Sequence, residues 1–197
     1  KAHPEAGPPL EWRLSADGEL QIRGGSPFLG YYRREGSVES KVKDGWFYTG
    51  DAVTKTELGE LVFLERLSDL KRLRSGETFP PQFVETRLRF SPFIKDIMTV
   101  GDETRDFVAA LINIDMAVLS RWAEDKRIGF STFTDLSQRP EVAELISQEI
   151  TRVNQFLPAH ARVKRFANFP KELDPDEGEL TRSRKLRREF LEVRYAT

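Results

Sequence analysis

Apolar residues in this chain keep two different spacings, and the change near Leu67 constrains the fold more than any other feature of the sequence. Before it, Glu11-Trp12-Arg13-Leu14-Ser15 and Glu19-Leu20-Gln21-Ile22-Arg23 alternate around Ala16-Asp17-Gly18, the pattern of a hairpin with Asp-Gly at its tip. Gly24-Gly25-Ser26-Pro27 breaks the second strand, and Phe28, Tyr31 and Tyr32 are expected to pack under the hairpin. A second hairpin turns at Thr56-Glu57-Leu58-Gly59 and returns through Glu60-Leu61-Val62-Phe63-Leu64. So short a β-rich piece buries little apolar surface alone, which suggests the cut end of a larger domain.

From Leu67 onward strands and helices alternate. Pro80-Pro81 opens a helix through Phe83, Val84 and Leu88, and Ser91-Pro92 ends it. Ile94–Val100 and Phe107–Ile114 read as strands joined by a charged turn, with Val163–Phe169 as a third. Asp115 is placed to cap a helix carrying Leu119, Trp122 and Ala123, stopped by Gly129. Val142, Ile146, Ile150, Val153 and Leu157 recur every three or four residues, one face of a helix that begins near Pro140. Leu186, Phe190 and Val193 mark a final helix. The expectation is α+β: a β-rich stub over residues 1–66, then a small domain over 67–197 with a mostly antiparallel sheet flanked by helices.

Composition narrows the function. With 31 Lys+Arg against 32 Asp+Glu the formal net charge is −1, which argues against a polycation that coats nucleic acid. Cysteine is absent, and neither His3 nor His160 has a second ligand at metal spacing, so no metal site is expected. The longest apolar run, Phe107–Ile114, falls far short of the ~20 residues that span a bilayer. Lys1-Ala2-His3-Pro4-Glu5 lacks the apolar stretch of a secretory signal, so a cytoplasmic protein is expected.

Three places invite chemistry. Five of the seven residues from Arg182 to Arg188 are cationic and fall where the last helix should begin, against its dipole. An anion such as phosphate would complement them, while a solvated basic tail is the plainer reading. Asp174, Asp176, Glu177 and Glu179, just upstream, are candidates to neutralise the cluster. Asp44-Gly45-Trp46-Phe47-Tyr48-Thr49-Gly50-Asp51 projects a carboxylate from a tight bend, and a carboxylate can accept from both vicinal ribose hydroxyls. Arg66 stands at the end of the returning strand, with Arg72, Arg74, Ser75 and Gly76 beyond it. Gly24-Gly25-Ser26 lacks a following Gly-Lys-Ser/Thr, which argues against a phosphate-cradling loop.

In order along the chain, these segments resemble the C-terminal part of the adenylate-forming superfamily, and long-chain fatty acyl-CoA synthetases in particular. Gly18-Glu19 through Arg23-Gly24 with Gly30-Tyr31-Tyr32, the Asp44–Asp51 segment, Glu65-Arg66-Leu67-Ser68-Asp69-Leu70, and Leu180-Thr181 through Arg188 are each similar to a motif of that family. Ile112-Asn113-Ile114-Asp115 through Trp122-Ala123-Glu124 also resembles its bacterial long-chain ligases.

The resemblance implies a ligase that joins a fatty acid to CoA through an acyl-adenylate, releasing pyrophosphate and then AMP. It implies that residues 1–66 end a large AMP-binding domain and that 67–197 form its mobile lid. Asp51 and Arg66 would hold the ribose of ATP or AMP, Lys185 would be the catalytic lysine, Ser68 and Asp69 would lie at the hinge, and the loop at Gly76 would face CoA. Mg²⁺ is expected to accompany ATP, with ligands outside this chain.

The expected partners are fatty acid, ATP, CoA and the rest of the N-terminal domain, without nucleic acid; peripheral membrane attachment stays open. The chain is not expected to be active alone, because the phosphate loop, adenine motif and acyl tunnel would lie upstream. Two alternatives are an enzyme of the same superfamily that loads a carrier protein, and a non-enzymatic basic interaction module. Glu65 departs from the Gly or Asp usual in the family, and Arg184 stands where many members have Gly. The segment Arg66–Gly76 is one residue longer than the pattern, which bears on the Gly76 assignment.

Overall fold

The computed structural model describes residues 10–24 and 41–195. The packing expected for Phe28, Tyr31 and Tyr32, and the Gly30-Tyr31-Tyr32 segment, lie outside the described residues. The chain forms two compact units, Lys1–Leu70 and Lys71–Thr197.

In the first unit an antiparallel sheet runs in the order β1 (Glu11–Leu14), β2 (Glu19–Arg23), β4 (Trp46–Lys55), β3 (Val42–Lys43), with β5 (Leu61–Arg66) also on β4. Ten-residue β4 takes β2 along one part and β5 along another, so it carries the whole unit. Gly18 sits at φ +81°, the left-handed region that the tip of the first hairpin requires and that glycine enters without penalty. The indole of Trp46 lies under the Arg13 and Arg23 guanidinium groups, 4.2 and 4.6 Å from the ring centre, so cations cover an aromatic strand. Among the described residues the buried positions of this unit are Glu19, Gln21, Ala52, Val53 and Glu65, and three of these are polar. The unit closes on a 3₁₀ turn, Leu67–Asp69, that stays with β4.

The second unit begins with a short hairpin, β6 (Lys71–Arg72) and β7 (Thr78–Phe79), followed by α1 (Pro81–Leu88), β8 (Ile94–Val100) and β9 (Val108–Ile114). Helices α2 (Met116–Asp125), α3 (Phe133–Ser137) and α4 (Pro140–Asn154) lead to β10 (Val163–Asn168), and α5 (Arg188–Tyr195) is last. The sheet order is β10-β9-β8, antiparallel between β8 and β9 and parallel between β9 and β10. A parallel pair needs a long crossover, and α2 to α4 supply it.

Val108, Ala110, Ile112 and Ile114 alternate along β9 and pack with Val84 and Leu88 of α1, Leu119 of α2 and Val142 and Ile146 of α4. The intervening Leu111 joins Met98, Val100, Phe169, Leu173, Leu180 and Leu191 in a second cluster beneath α5. The mixed α+β architecture is therefore the expected one, with α5 alone on its side of the sheet among the described helices.

Three helix ends differ from the sequence expectation. Helix α4 stops at Asn154, so Leu157 reaches the core from the turn beyond it, where its N–H donates to Asn154 O at 3.2 Å. Helix α2 stops at Asp125, well before Gly129, because Ile128 N donates to Ala123 O (2.8 Å) and Arg127 N to Glu124 O (2.9 Å) while Arg127 takes φ +59°. This closure normally uses glycine at the left-handed position, so the arginine gave no signal. In α5 the buried apolar residue is Leu191, whereas Val193 is 83% exposed, because the helix begins at Arg188 and turns a different face to the sheet.

Candidate functional site

Thr49-Gly50-Asp51 lies where the β4 ladder is irregular, with register shifts between Glu19 and Gln21 on one side and Ala52 and Val53 on the other. Gly50 sits at φ +74°, so a residue without Cβ lets the strand bulge there. The buried Glu19 carboxylate accepts from Gly50 N at 2.8 Å, Thr49 Oγ1 donates to Leu20 O at 2.7 Å, and Asp51 N donates to Thr49 Oγ1 at 3.1 Å. The bend is therefore tied to β2.

It delivers Asp51 opposite Arg66 of β5, with Asp51 Oδ1 2.6 Å from Arg66 Nη1, and Arg66 also donates to Thr49 O at 3.2 Å. Both side chains open on a cleft of about 930 Å³ lined by Lys41, Phe47, Thr49, Gly50, Leu67 and Ser68 as well. A carboxylate with an arginine beside it on a polar, open cleft wall suits a ligand bearing hydroxyls and negative charge. Glu19 and Lys41 were not singled out from the sequence as site residues. Glu19 was present only inside the Gly18–Gly24 segment, and Lys41 is brought to the cleft by β3 pairing on β4.

Lys185 stands in a tight turn rather than on the first turn of a helix. Leu180 and Leu186 form a β-bridge, Thr181 N donates to Lys185 O at 2.8 Å, and Lys185 N donates to Thr181 Oγ1 at 3.0 Å. Arg184 N closes onto Thr181 O at 2.8 Å, with Arg184 at φ +59°. Arg184 thus occupies a left-handed position that favours glycine.

The bridge delays α5 to Arg188, so Arg182, Arg184 and Lys185 precede the helix, and only Arg187 and Arg188 stand at its start against the dipole. The upstream acids do not neutralise the cluster. Glu177 and Glu179 pair with Lys171 and Arg194, and Arg188 pairs with Glu85 of α1. Lys185 is exposed and makes no ion pair with a described residue.

At the base of this turn lies Glu179, fully buried. Its Oε1 accepts from Tyr195 Oη at 2.7 Å, and its Oε2 accepts from Lys171 Nζ at 2.9 Å and Asp174 N at 3.1 Å. Burial pushes the Glu179 carboxyl up, but the hydrogen bonds from Lys171, Tyr195 and Asp174 N outweigh it and hold the group below the usual carboxylate range. Burial and the Glu179 carboxylate together raise the Tyr195 hydroxyl.

Ser68 and Asp69 lie in the 3₁₀ turn at the end of the first unit, where Ser68 Oγ donates to Asp69 Oδ1 at 2.9 Å. Gly76 is in the β6–β7 turn at φ +87°, with its N–H donating to Leu73 O at 2.9 Å. No three His, Asp or Glu side chains among the described residues converge where they could hold a metal ion. No helix among them is long and apolar enough to cross a membrane.

Residues 69–197 match the AMP-binding enzyme C-terminal domain, and the chain belongs to that family. The long-chain-fatty-acid–CoA ligase FadD15 of Mycobacterium tuberculosis is 30% identical over 186 residues, covering 94% of this chain and 31% of that protein. Long chain acyl-CoA synthetase 1 of Arabidopsis thaliana is 33% identical over 134 residues, covering 68% of this chain and 20% of that protein. The chain thus spans no more than about a third of the length of these relatives. Among solved structures, the adenylation domain of a carboxylate reductase from Mycobacterium chelonae shares the fold, with a TM-score of 0.61 at 21% identity over 96% of this chain and 30% of that one.

Proposed function

We propose that this chain is the C-terminal part of an AMP-forming long-chain fatty acid–CoA ligase and that it supplies the catalytic lysine, Lys185. In the first half-reaction a fatty-acid carboxylate oxygen attacks the α-phosphorus of ATP, the bond to the β-phosphate breaks, and pyrophosphate leaves. In the second, the CoA thiol attacks the acyl carbonyl, loses its proton and expels AMP.

Asp51 accepts from the ribose hydroxyls and Arg66 contacts the same ribose. The Lys185 ammonium, compact and carried on a flexible stem, meets the carboxylate and the α-phosphoryl oxygens as charge builds between them. Residues 1–66 then end a large AMP-binding domain and 67–197 form its lid, with Ser68 and Asp69 at the hinge and the Gly76 turn facing CoA. Mg²⁺, bound outside this chain, would screen the phosphates of ATP. The names of its long-chain ligase relatives favour fatty acid and CoA as substrates over a carrier protein.

The observation that carries this reading is the turn from Thr181 to Lys185. It fixes the lysine backbone at both N–H and C=O while leaving the ammonium exposed and without an ionic partner among the described residues. In the full-length protein, Lys185→Ala is expected to slow ATP–pyrophosphate exchange by ~10²–10³, the size of losing one preorganised donor, and to leave thioester formation from supplied acyl-adenylate little changed. Equal loss in both half-reactions would refute the assignment.

A further inference from the structure

We propose, resting on the reading of Lys185 above, that Glu179 is a positioning residue for Lys185, acting through a buried latch that ties the base of the lysine turn to the C-terminal helix. The main chain and the side chain of Glu179 hold different parts of the structure. Its carbonyl accepts from Arg187 N at 3.0 Å, on the far side of the turn, so the strand entering the turn and the strand leaving it are joined just beneath Leu180 and Leu186. Its carboxylate, fully buried, holds Tyr195 near the end of α5 through one oxygen and Lys171 and Asp174 N through the other. Arg194 adds a longer ionic contact at 3.5 Å.

Tyr195 is itself fixed edge-on against buried Phe169, with ring centres 5.0 Å apart and planes at 82°. Every oxygen of the carboxylate is thus engaged, and each partner belongs to a segment that packs on the second apolar cluster. A buried anion with so complete a set of donors is rigid, because breaking any one contact leaves charge unpaired in a dry environment.

The turn above this base is not held by burial. Arg182, Ser183, Arg184 and Lys185 are all exposed, and the turn's own hydrogen bonds return only to Thr181. The direction in which the turn emerges is therefore set by the two residues below it, Glu179 and Leu180. A lysine that must meet two developing charges at once is sensitive to that direction, since a displacement of ~1 Å can cost ~100-fold in rate.

The test uses the full-length protein with Tyr195→Phe, Glu179→Gln, Lys185→Ala and the Tyr195→Phe/Lys185→Ala pair. Adenylation is followed by ATP–pyrophosphate exchange, thioester formation is started from supplied acyl-adenylate and CoA, and melting temperatures report folding. Tyr195→Phe is expected to lower kcat for adenylation about tenfold with KM for ATP within about twofold, a fraction of the full misplacement penalty. Thioester formation should be unchanged, and the pair should be no slower than Lys185→Ala alone, because a positioning residue has nothing left to position.

If Lys185→Ala adenylates normally, the reading of Lys185 falls and this inference falls with it. If Lys185→Ala is slow but folded Tyr195→Phe and Glu179→Gln adenylate like the parent, only the latch is overturned. Slowing of both half-reactions alike, or full additivity in the pair, overturns it as well. Should Glu179→Gln fail to fold, Tyr195→Phe decides, since it removes one hydrogen bond and keeps the ring on Phe169.

Discussion

Replacing Asp51 by Asn keeps the side-chain shape in the cleft and removes the charge, which separates recognition of a ribose from support of the strand bulge. The structural consequence should be small. Arg66 is 60% exposed on its side chain and Asp51 27%, so their ion pair at 2.6 Å is screened and contributes at most about 1 kcal/mol to stability. Thr49 and Glu19 hold the bend through main-chain groups that the substitution does not touch.

The effect on nucleotide binding should be larger. A carboxylate that accepts two ribose hydroxyls makes two charge-assisted bonds, each of about 1.5–3 kcal/mol. The cleft is open and Arg66 already engages one oxygen, so the lower end of that range for the pair, about 1.5–3 kcal/mol in all, is the reasonable expectation. That corresponds to a rise of roughly 10- to 150-fold in KM for ATP. Initial rates of pyrophosphate release by the full-length protein across a range of ATP, repeated with 2′-deoxy-ATP, would measure it. The parent should be impaired by loss of the 2′-hydroxyl and Asp51→Asn should not be impaired further. An unchanged KM for ATP, or the same 2′-deoxy penalty in both proteins, would refute the ribose assignment.

Other perturbations address the second unit. Arg184→Gly relieves a left-handed residue at about 1–2 kcal/mol while adding about 0.5–1 kcal/mol of backbone entropy, so the melting temperature should hold or rise slightly; a fall of several degrees would contradict it. Gly101→Ala would place a Cβ 2.8 Å from a ring carbon of fully buried Phe79 and should destabilise by about 1–3 kcal/mol. Gly129→Ala meets nothing within 4 Å and should be neutral or slightly stabilising, so chemical denaturation of the two variants side by side checks the packing beneath the Gly76 hairpin.

Because Glu179 titrates below its ordinary value of 4.5 in the folded protein, it adds stability above that pH and loses it as pH falls through the lower folded value. Melting temperature should therefore drop more steeply below about pH 4.5 in the parent than in Glu179→Gln, and parallel curves would show the latch to be energetically idle.

Local pattern alone carried much of this molecule. Period-two alternation and an Asp-Gly tip marked the first hairpin, Pro80-Pro81 the start of α1, and the spacing from Val142 to Ile150 the buried face of α4. The cap at Asp115 is present, its Oδ1 accepting from Val118 N at 3.0 Å. Such features are legible because each is decided by neighbours within a few positions along the chain. Asp51 and Arg66 stand out separately in the sequence and are joined at one ribose only by the family resemblance; the β4–β5 pairing that sets them opposite each other belongs to the tertiary structure.

What sequence could not supply was the setting of the lysine turn. Arg127 and Arg184 take left-handed conformations that their side chains do not advertise, because surrounding hydrogen bonds outweigh the steric cost. The acids before the basic cluster looked like its neutralisers, yet Glu177 and Glu179 pair with Lys171 and Arg194, and Arg188 pairs with Glu85 from the distant helix α1. For Arg188 the ionic partner is chosen by which segments pack together rather than by proximity along the chain. Sequence therefore determined which groups the protein has for its chemistry, and tertiary packing decided which of those charges are tied down and which, Lys185 among them, stay exposed.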